Sequence, residues 1–473
     1  MTEATRDFAP DNSVFRLLVP SDEETRSDAS FVDLAGQRWR IVDHGAAPSP
    51  ENAPEYICVS YSRGGGRMPN PFDPTKPMSS CALPALETAI ASLRPPAIWL
   101  DNACMPTHEL AQRLCLQSMG AIYAAAGQVL AVLSPSASAI LDRVRRNEVL
   151  GSEELQRLET DDWVSRVWTY QEIVNSKMVS FAAEGQTEVP FDGYNLLNAI
   201  GHAIAEYREA GHFDAYRFRE THPHLDALET LIDDWLIAET ARRSAYRTMS
   251  AVVGRTAAFP DDYFYAVIGA ISPARSEPNN ANLSAQEYFM KVCENKGDFS
   301  FIYSSTPRAS DDIGGWRLKP GQLGPLPPIV PWPCDGERQT GELQGTSLRL
   351  HNMARLAPGP LAETARGFIH DWLKKTVRSP LPPDMRDAAR ETLRRAGFTG
   401  CGEYIEMGAG LFFPQNSLGG ASNYNAFATT DIFFNFGAPG LVLQPAESGA
   451  AKLRDVGVFV GPSPKTKETI IVS

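Results

Sequence analysis

The feature that most constrains this chain is an alternation, up to about residue 190, of short apolar runs with amphipathic stretches. Runs too short for a helix and apolar throughout read as strands buried on both faces. Helical stretches between such runs supply the crossovers that a parallel sheet needs. The runs are Tyr56-Ile57-Cys58-Val59-Ser60, Ala97-Ile98-Trp99-Leu100, Gln128-Val129-Leu130-Ala131-Val132-Leu133 and Met178-Val179-Ser180-Phe181. Between them, Leu83, Leu86, Ile90 and Leu93 mark one helix, a second is expected over 109–125, and a third over 162–176. The expected fold is therefore α/β, with a parallel sheet flanked by helices over 1–190. Residues 191–325 read as mainly helical, with Leu228, Leu231, Trp235 and Ala238 on one helix face. Residues 326–473 are rich in Pro and Gly and then in β-forming runs. They follow the turn-rich Gly324-Pro325-Leu326-Pro327-Pro328, hold one helical piece over 383–396, and end in a small antiparallel unit from Leu411.

At 473 residues the chain exceeds what one core usually supports, so two or three domains are expected. Acidic residues outnumber basic ones 57 to 44, for a net charge of -13. Such a surface repels phosphate backbones, so no nucleic-acid partner is expected. The seven cysteines are scattered without a CxxC pair, which reads as reduced thiols and a cytoplasmic location. The start, MTEATRDFAPDNSVF, lacks an apolar run behind basic residues, and no run of about 18 apolar residues occurs elsewhere. Neither a signal peptide nor a membrane span is expected. Only His222 and His224 form a close histidine pair, and there is no HExxH or GxSxG, so neither a metal site nor a serine-hydrolase elbow is expected.

Three segments carry candidate chemistry. In an open parallel sheet, ligands bind outside the carboxyl ends of the strands. Ser60-Tyr61-Ser62-Arg63-Gly64-Gly65-Gly66 follows the first strand, where Tyr61, Arg63 and Gly64 offer a hydroxyl, a guanidinium and exposed amides to a phosphate or ribose. The same turn also reads as a plain connection with a solvated arginine. Asp101 ends the second strand and reads either as a structural cap or as a ligand contact. Cys104 reads as a core residue. On the third helix, Trp163, Val167, Tyr170, Gln171 and Val174 share an inner face. Glu172 falls at its margin, one turn beyond Trp168. A carboxylate there stabilises an oxocarbenium ion at a ribose, or else is a surface residue.

Together these segments resemble the heterokaryon-incompatibility (HET) domain, whose pattern runs LSYxWG, WIDxxCINQ, MxxIY and WxxRxWxxQE. The counterparts are Val59-Ser60-Tyr61-Ser62-Arg63-Gly64, Trp99-Leu100-Asp101-Asn102-Ala103-Cys104, Met119-Gly120-Ala121-Ile122-Tyr123, and the stretch from Trp163 to Glu172. Asp262-Tyr263-Phe264-Tyr265-Ala266-Val267-Ile268-Gly269 is similar to a downstream DxVYALLG segment, and Leu326 to Trp332 to LPSWVPDW. Arg63 stands where the family has Trp, Met105-Pro106 where it has Ile-Asn, and the Glu-Arg pair of the second helix has no clean counterpart. The resemblance implies a domain like that of the Toll/interleukin-1 receptor, with a flavodoxin-like sheet. It further implies an incompatibility effector of programmed cell death or innate immunity that hydrolyses NAD or a related nucleotide. Glu172 would be catalytic, and Tyr61, Arg63, Gly64, Asp101 and Trp168 would hold the ligand. NAD would be a substrate, with no resident cofactor. The alternative it implies is a non-enzymatic module that signals through self-association or a partner protein.

Overall fold

The computed structural model describes residues 13–21, 31–49, 51–64, 66–236, 243–309, 314–319, 326–377, 380, 382–419, 423–446 and 449–473. Of the sequence expectations, those on the first twelve residues, Gly65, Ala238 and Gly324-Pro325 lie outside them.

The four apolar runs form the centre of an eight-stranded sheet. Ile57–Tyr61 lies between Ile98–Trp99 and Gln128–Leu133, with Val179–Ala183 beyond the latter, all parallel. Every residue of Ile57–Tyr61 and of Val179–Ala183 is buried, which is why these strands carry no polar alternation. The flanks add antiparallel strands to the expected parallel sheet. Phe191–Asp192 closes one side antiparallel, while Phe15–Pro20, Gln37–Gly45 and Val32–Leu34 extend the other in that spatial order, each antiparallel to its neighbour. Gln37–Gly45 has one fully buried position, Trp39, so no apolar run announces it.

The order of connections locates the functional end. From Ile57–Tyr61 the chain crosses through helix Ala82–Leu93 to Ile98–Trp99 on one side. It then returns past the central strand to Gln128–Leu133 on the other. This reversal makes the carboxyl end of Ile57–Tyr61 a topological switch point, where an open α/β sheet leaves a crevice.

Two expected helices are each broken in two. The one over 109–125 becomes Glu109–Gln117 and Met119–Ala125, hinged at Ser118. The one over 162–176 becomes Asp162–Ser165 and Val167–Val174, because Arg166 is extended at φ -78 and ψ 142. The backbone on either side of Arg166 pairs with Thr256 instead, Val167 N–H donating to Thr256 O at 2.9 Å and Thr256 N–H to Ser165 O at 2.7 Å. Trp163 and Glu172 are thus on different helices, and all eight residues of Val167–Val174 are buried. The single-helix face with Glu172 at its margin is overturned by this tertiary pairing.

Helices Gly193–Ala210, Pro223–Leu236, Ala245–Val252, Asp262–Ile271 and Ala285–Lys296 follow. Asp262–Ile271 packs on both Val167–Val174 and Met119–Ala125. A Cβ on Gly120 would stand 2.5 Å from Gly269 O, so two glycines let these backbones touch. The C-terminal region is an antiparallel sheet of eight strands that begins at Gly341–Gln344, well before Leu411. It is joined by helix Met385–Arg395 and by helix Glu363–Thr376, which the sequence reading omitted although Ala365, Ile369, Trp372 and Leu373 recur at helical spacing. Among the described residues, no helix is long and apolar enough to cross a membrane.

Gly120→Ala puts a methyl group against backbone that has no rotamer to yield. It is expected to cost about 1–3 kcal/mol, read as a lower midpoint in urea unfolding; an unchanged or raised midpoint contradicts the contact.

Candidate functional site

Two clusters form at the carboxyl end of the central strand. The first is centred on Asp101, which lies just beyond Ile98–Trp99. Its Oδ1 accepts the Tyr61 hydroxyl at 2.8 Å and the Asn102 N–H at 2.6 Å. Its Oδ2 accepts Arg63 Nη2 at 2.6 Å and Nε at 3.1 Å. Burial opposes charge on Asp101, but the adjoining Arg63 guanidinium prevails and holds the carboxyl well below its ordinary range. Gly64 follows at φ +56, and a Cβ there would meet Cys81 Sγ at 2.7 Å, so a side chain at this corner would be strained and would have to displace that thiol. The ribbon of Arg67–Pro69 and Pro77–Ser79 fastens the cluster from outside, with Ser79 N–H on Asn102 Oδ1 at 2.9 Å.

The second cluster is buried behind the first. Ser60, 1% exposed, sits one residue before Tyr61. It accepts the Trp163 indole N–H at 2.8 Å and donates to Glu172 Oε2 at 2.5 Å. Glu172 is 6% exposed, and burial pushes its carboxyl up to about 7 against the opposing pull of Arg166 and the Ser60 hydroxyl. Arg166, freed from helix geometry, donates Nη1 to Tyr61 O at 2.7 Å and so ties the two clusters together.

The structure thus brings Tyr61, Arg63 and Asp101 into direct contact, with Gly64 on the same loop and Glu172 behind. Trp168 is elsewhere engaged: its ring stacks on Tyr265, with ring centroids 6.4 Å apart and planes inclined by 14°. The indole that reaches the Glu172 pair is that of Trp163. Ser60, Trp163 and Arg166 were quoted in the sequence motifs without a role. A serine inside an otherwise apolar buried strand was the available signal, since such a hydroxyl must find partners.

A cleft of about 300 Å³ opens at the strand ends, lined by Tyr61, Ser62, Gly64, Asp161, Asp162 and Glu184 among others. Its described lining holds three carboxylates and no basic residue, and Glu172 does not reach it. Asp161 is committed to the Trp163 N–H and to Ser134. A wider groove of about 620 Å³, between the 147–150 loop and helix Gly193–Ala210, contains none of the site residues. Among the described residues, no group of three or more His, Cys, Asp or Glu side chains is placed to hold a metal ion.

Residues 56–172 match the family model of the heterokaryon incompatibility protein (HET), a segment that begins at the central strand and ends on Glu172. This part of the chain, less than half of the whole, is similar to that family. No curated protein and no solved structure matches the chain.

Glu172 binds its proton more tightly folded than unfolded, so its contribution to stability is complete below about pH 4.5 and is lost as pH rises through about 7. Asp101, shifted the other way, contributes stability that is present above about pH 3.8 and is lost as pH falls below it. Glu172→Gln keeps an acceptor for Ser60 without the charge. Its stability relative to wild type is expected to grow by about 3 kcal/mol between pH 4.5 and 8, measured by urea unfolding across that range. A flat difference rejects the assignment.

Proposed function

We propose that the chain is an effector of heterokaryon-incompatibility type whose α/β unit hydrolyses NAD to nicotinamide and ADP-ribose. The observation that carries this reading is the Glu172 carboxyl, held at the switch-point end of the sheet with its ionisation near neutrality. A carboxyl so tuned is charged in a useful fraction of molecules and feels a developing cation strongly, because little water screens it. The resemblance to Toll/interleukin-1-receptor enzymes, which place a glutamate after a tryptophan on a helix, supports the same choice.

In this reading the acidic cleft takes the cationic nicotinamide–ribose end, and the phosphates stay outside it. The C1′–N bond breaks, and its electron pair leaves with nicotinamide, which becomes neutral. The positive charge moves to the ribose, where the Glu172 carboxylate stabilises it. Water adds to C1′ and gives up one proton to that carboxylate and then to solvent. Glu172 must first turn from behind Ser60 toward the cleft that Tyr61 borders, so activity follows a rearrangement. The helical region that packs on Val167–Val174, through Pro223–Leu236 and Asp262–Ile271, would govern it.

One observation favours a second reading. Arg63 and Asp101 satisfy each other, and among the described residues the cleft lining has no basic group for a phosphate. On that ground the same surface serves as a non-enzymatic module that triggers cell death by self-association or through a partner protein.

Purified protein incubated with NAD is expected to release nicotinamide, detected by chromatography, with Glu172→Gln at least about 100-fold slower. Equal rates remove the mechanism. Toxicity on expression that persists in Glu172→Gln while cellular NAD stays level selects the second reading.

A further inference from the structure

Ser60 has no route to solvent, and its neighbours dictate where its proton goes. An indole N–H only donates, so the Trp163 Nε1 contact at 2.8 Å uses Ser60 Oγ as an acceptor. The hydroxyl has one proton, and Glu172 Oε2 lies 2.5 Å away. With Glu172 ionised the direction of the relay is fixed, from Trp163 to Ser60 to Glu172. Asp161 holds the start of this relay, because its Oδ1 caps the Trp163 backbone N–H at 2.8 Å while Oδ2 takes the Ser134 hydroxyl at 2.6 Å. Ser60 is itself pinned by the parallel ladder on the central strand, opposite Ala131.

We propose that Ser60 is a positioning residue for Glu172: oriented by the Trp163 indole, its hydroxyl donates to the carboxylate, sets the carboxylate's direction and favours its charged form. This rests on the NAD-cleaving reading for its consequence in catalysis, though not for the interaction itself. A hydrogen bond given to the charged form of an acid opposes the effect of burial. The other groups that act on Glu172 are Arg166 at the start of its own helix and Arg63 and Asp101 from the strand-end loops. Cys58 on the central strand and Tyr123 on Met119–Ala125 also face it, and burial holds both neutral by raising their ionisation well above the ordinary range. Arg63 and Asp101 offset each other, which leaves Arg166 and Ser60 as the groups that support the charge. Ser60 is the one in contact with it.

The test reads Glu172 directly in the full chain. Carboxyl-labelled protein is titrated by carbon NMR or infrared spectroscopy, with Glu172→Gln identifying the signal. Ser60→Ala is expected to move the midpoint about one pH unit upward, a tenfold weaker acid. Trp163→Phe, which frees the hydroxyl to turn, moves it less in the same direction, and Ser60→Thr restores the wild-type value. At limiting NAD, where the rate reports the resting enzyme before Glu172 turns, the acid limb of nicotinamide release in Ser60→Ala shifts by the same unit, so cleavage falls about tenfold near pH 6 and recovers above pH 8. An unmoved midpoint in a natively folded Ser60→Ala overturns the proposal, and if that variant does not fold, an unmoved midpoint in Trp163→Phe does so. Absence of nicotinamide release from every variant overturns the enzymatic reading alone, because the spectroscopic midpoint still decides the role of Ser60.

Discussion

A hydroxyl in the middle of a dry sheet organises this site. Ile57–Tyr61 is buried along its whole length, so Ser60, a polar side chain within it, must satisfy its oxygen and its proton from the protein. Trp163 supplies the donor and Glu172 the acceptor. These two residues come from separate helices, and the break at Arg166 is what lets each approach the strand at its own angle. The extended Arg166 in turn needs Thr256 as a backbone partner, so a local requirement of one serine reaches into the helical region.

Two carboxyl groups near the carboxyl end of the central strand are pushed in opposite directions by their surroundings. Asp101 has a guanidinium and a hydroxyl on it and stays charged. Glu172 is buried with only a neutral hydroxyl in contact and is held near neutrality. Divergent environments of this kind separate a structural anion from a chemically responsive acid. Asp101 is the fixed point that holds the loop, and Glu172 is the group whose charge state can change within the physiological range.

The family-like segment ends at Glu172, yet the helix that carries Glu172 is fastened by residues far beyond it. Tyr170 donates to the fully buried Asp234 at 2.6 Å, and Asp234 is also held by Arg247. Arg255 sends its guanidinium to Val164 O at 2.9 Å and Ala227 O at 2.7 Å, while Gly269 meets Gly120 backbone to backbone. Any movement that brings Glu172 to the cleft must be accommodated by these contacts. The helical region is thus mechanically connected to the site without lining the cleft.

Local sequence determined the elements whose information is local. Burial on both faces wrote the four parallel strands as apolar runs, and helical spacing marked Ala82–Leu93 and Pro223–Leu236. Asp101 and the Tyr61–Gly64 turn were legible because strand ends in such a sheet are where chemistry collects. The mostly polar Gln37–Gly45, the break at Arg166 and the substitution of Trp163 for Trp168 beside Glu172 were not legible. Each is decided by a partner distant in the chain: a neighbouring strand, the Thr256 backbone, the Ser60 hydroxyl. Periodicity reports which face of an element avoids water. It carries no record of which far-off group will satisfy a buried polar atom, and only the folded chain makes that choice.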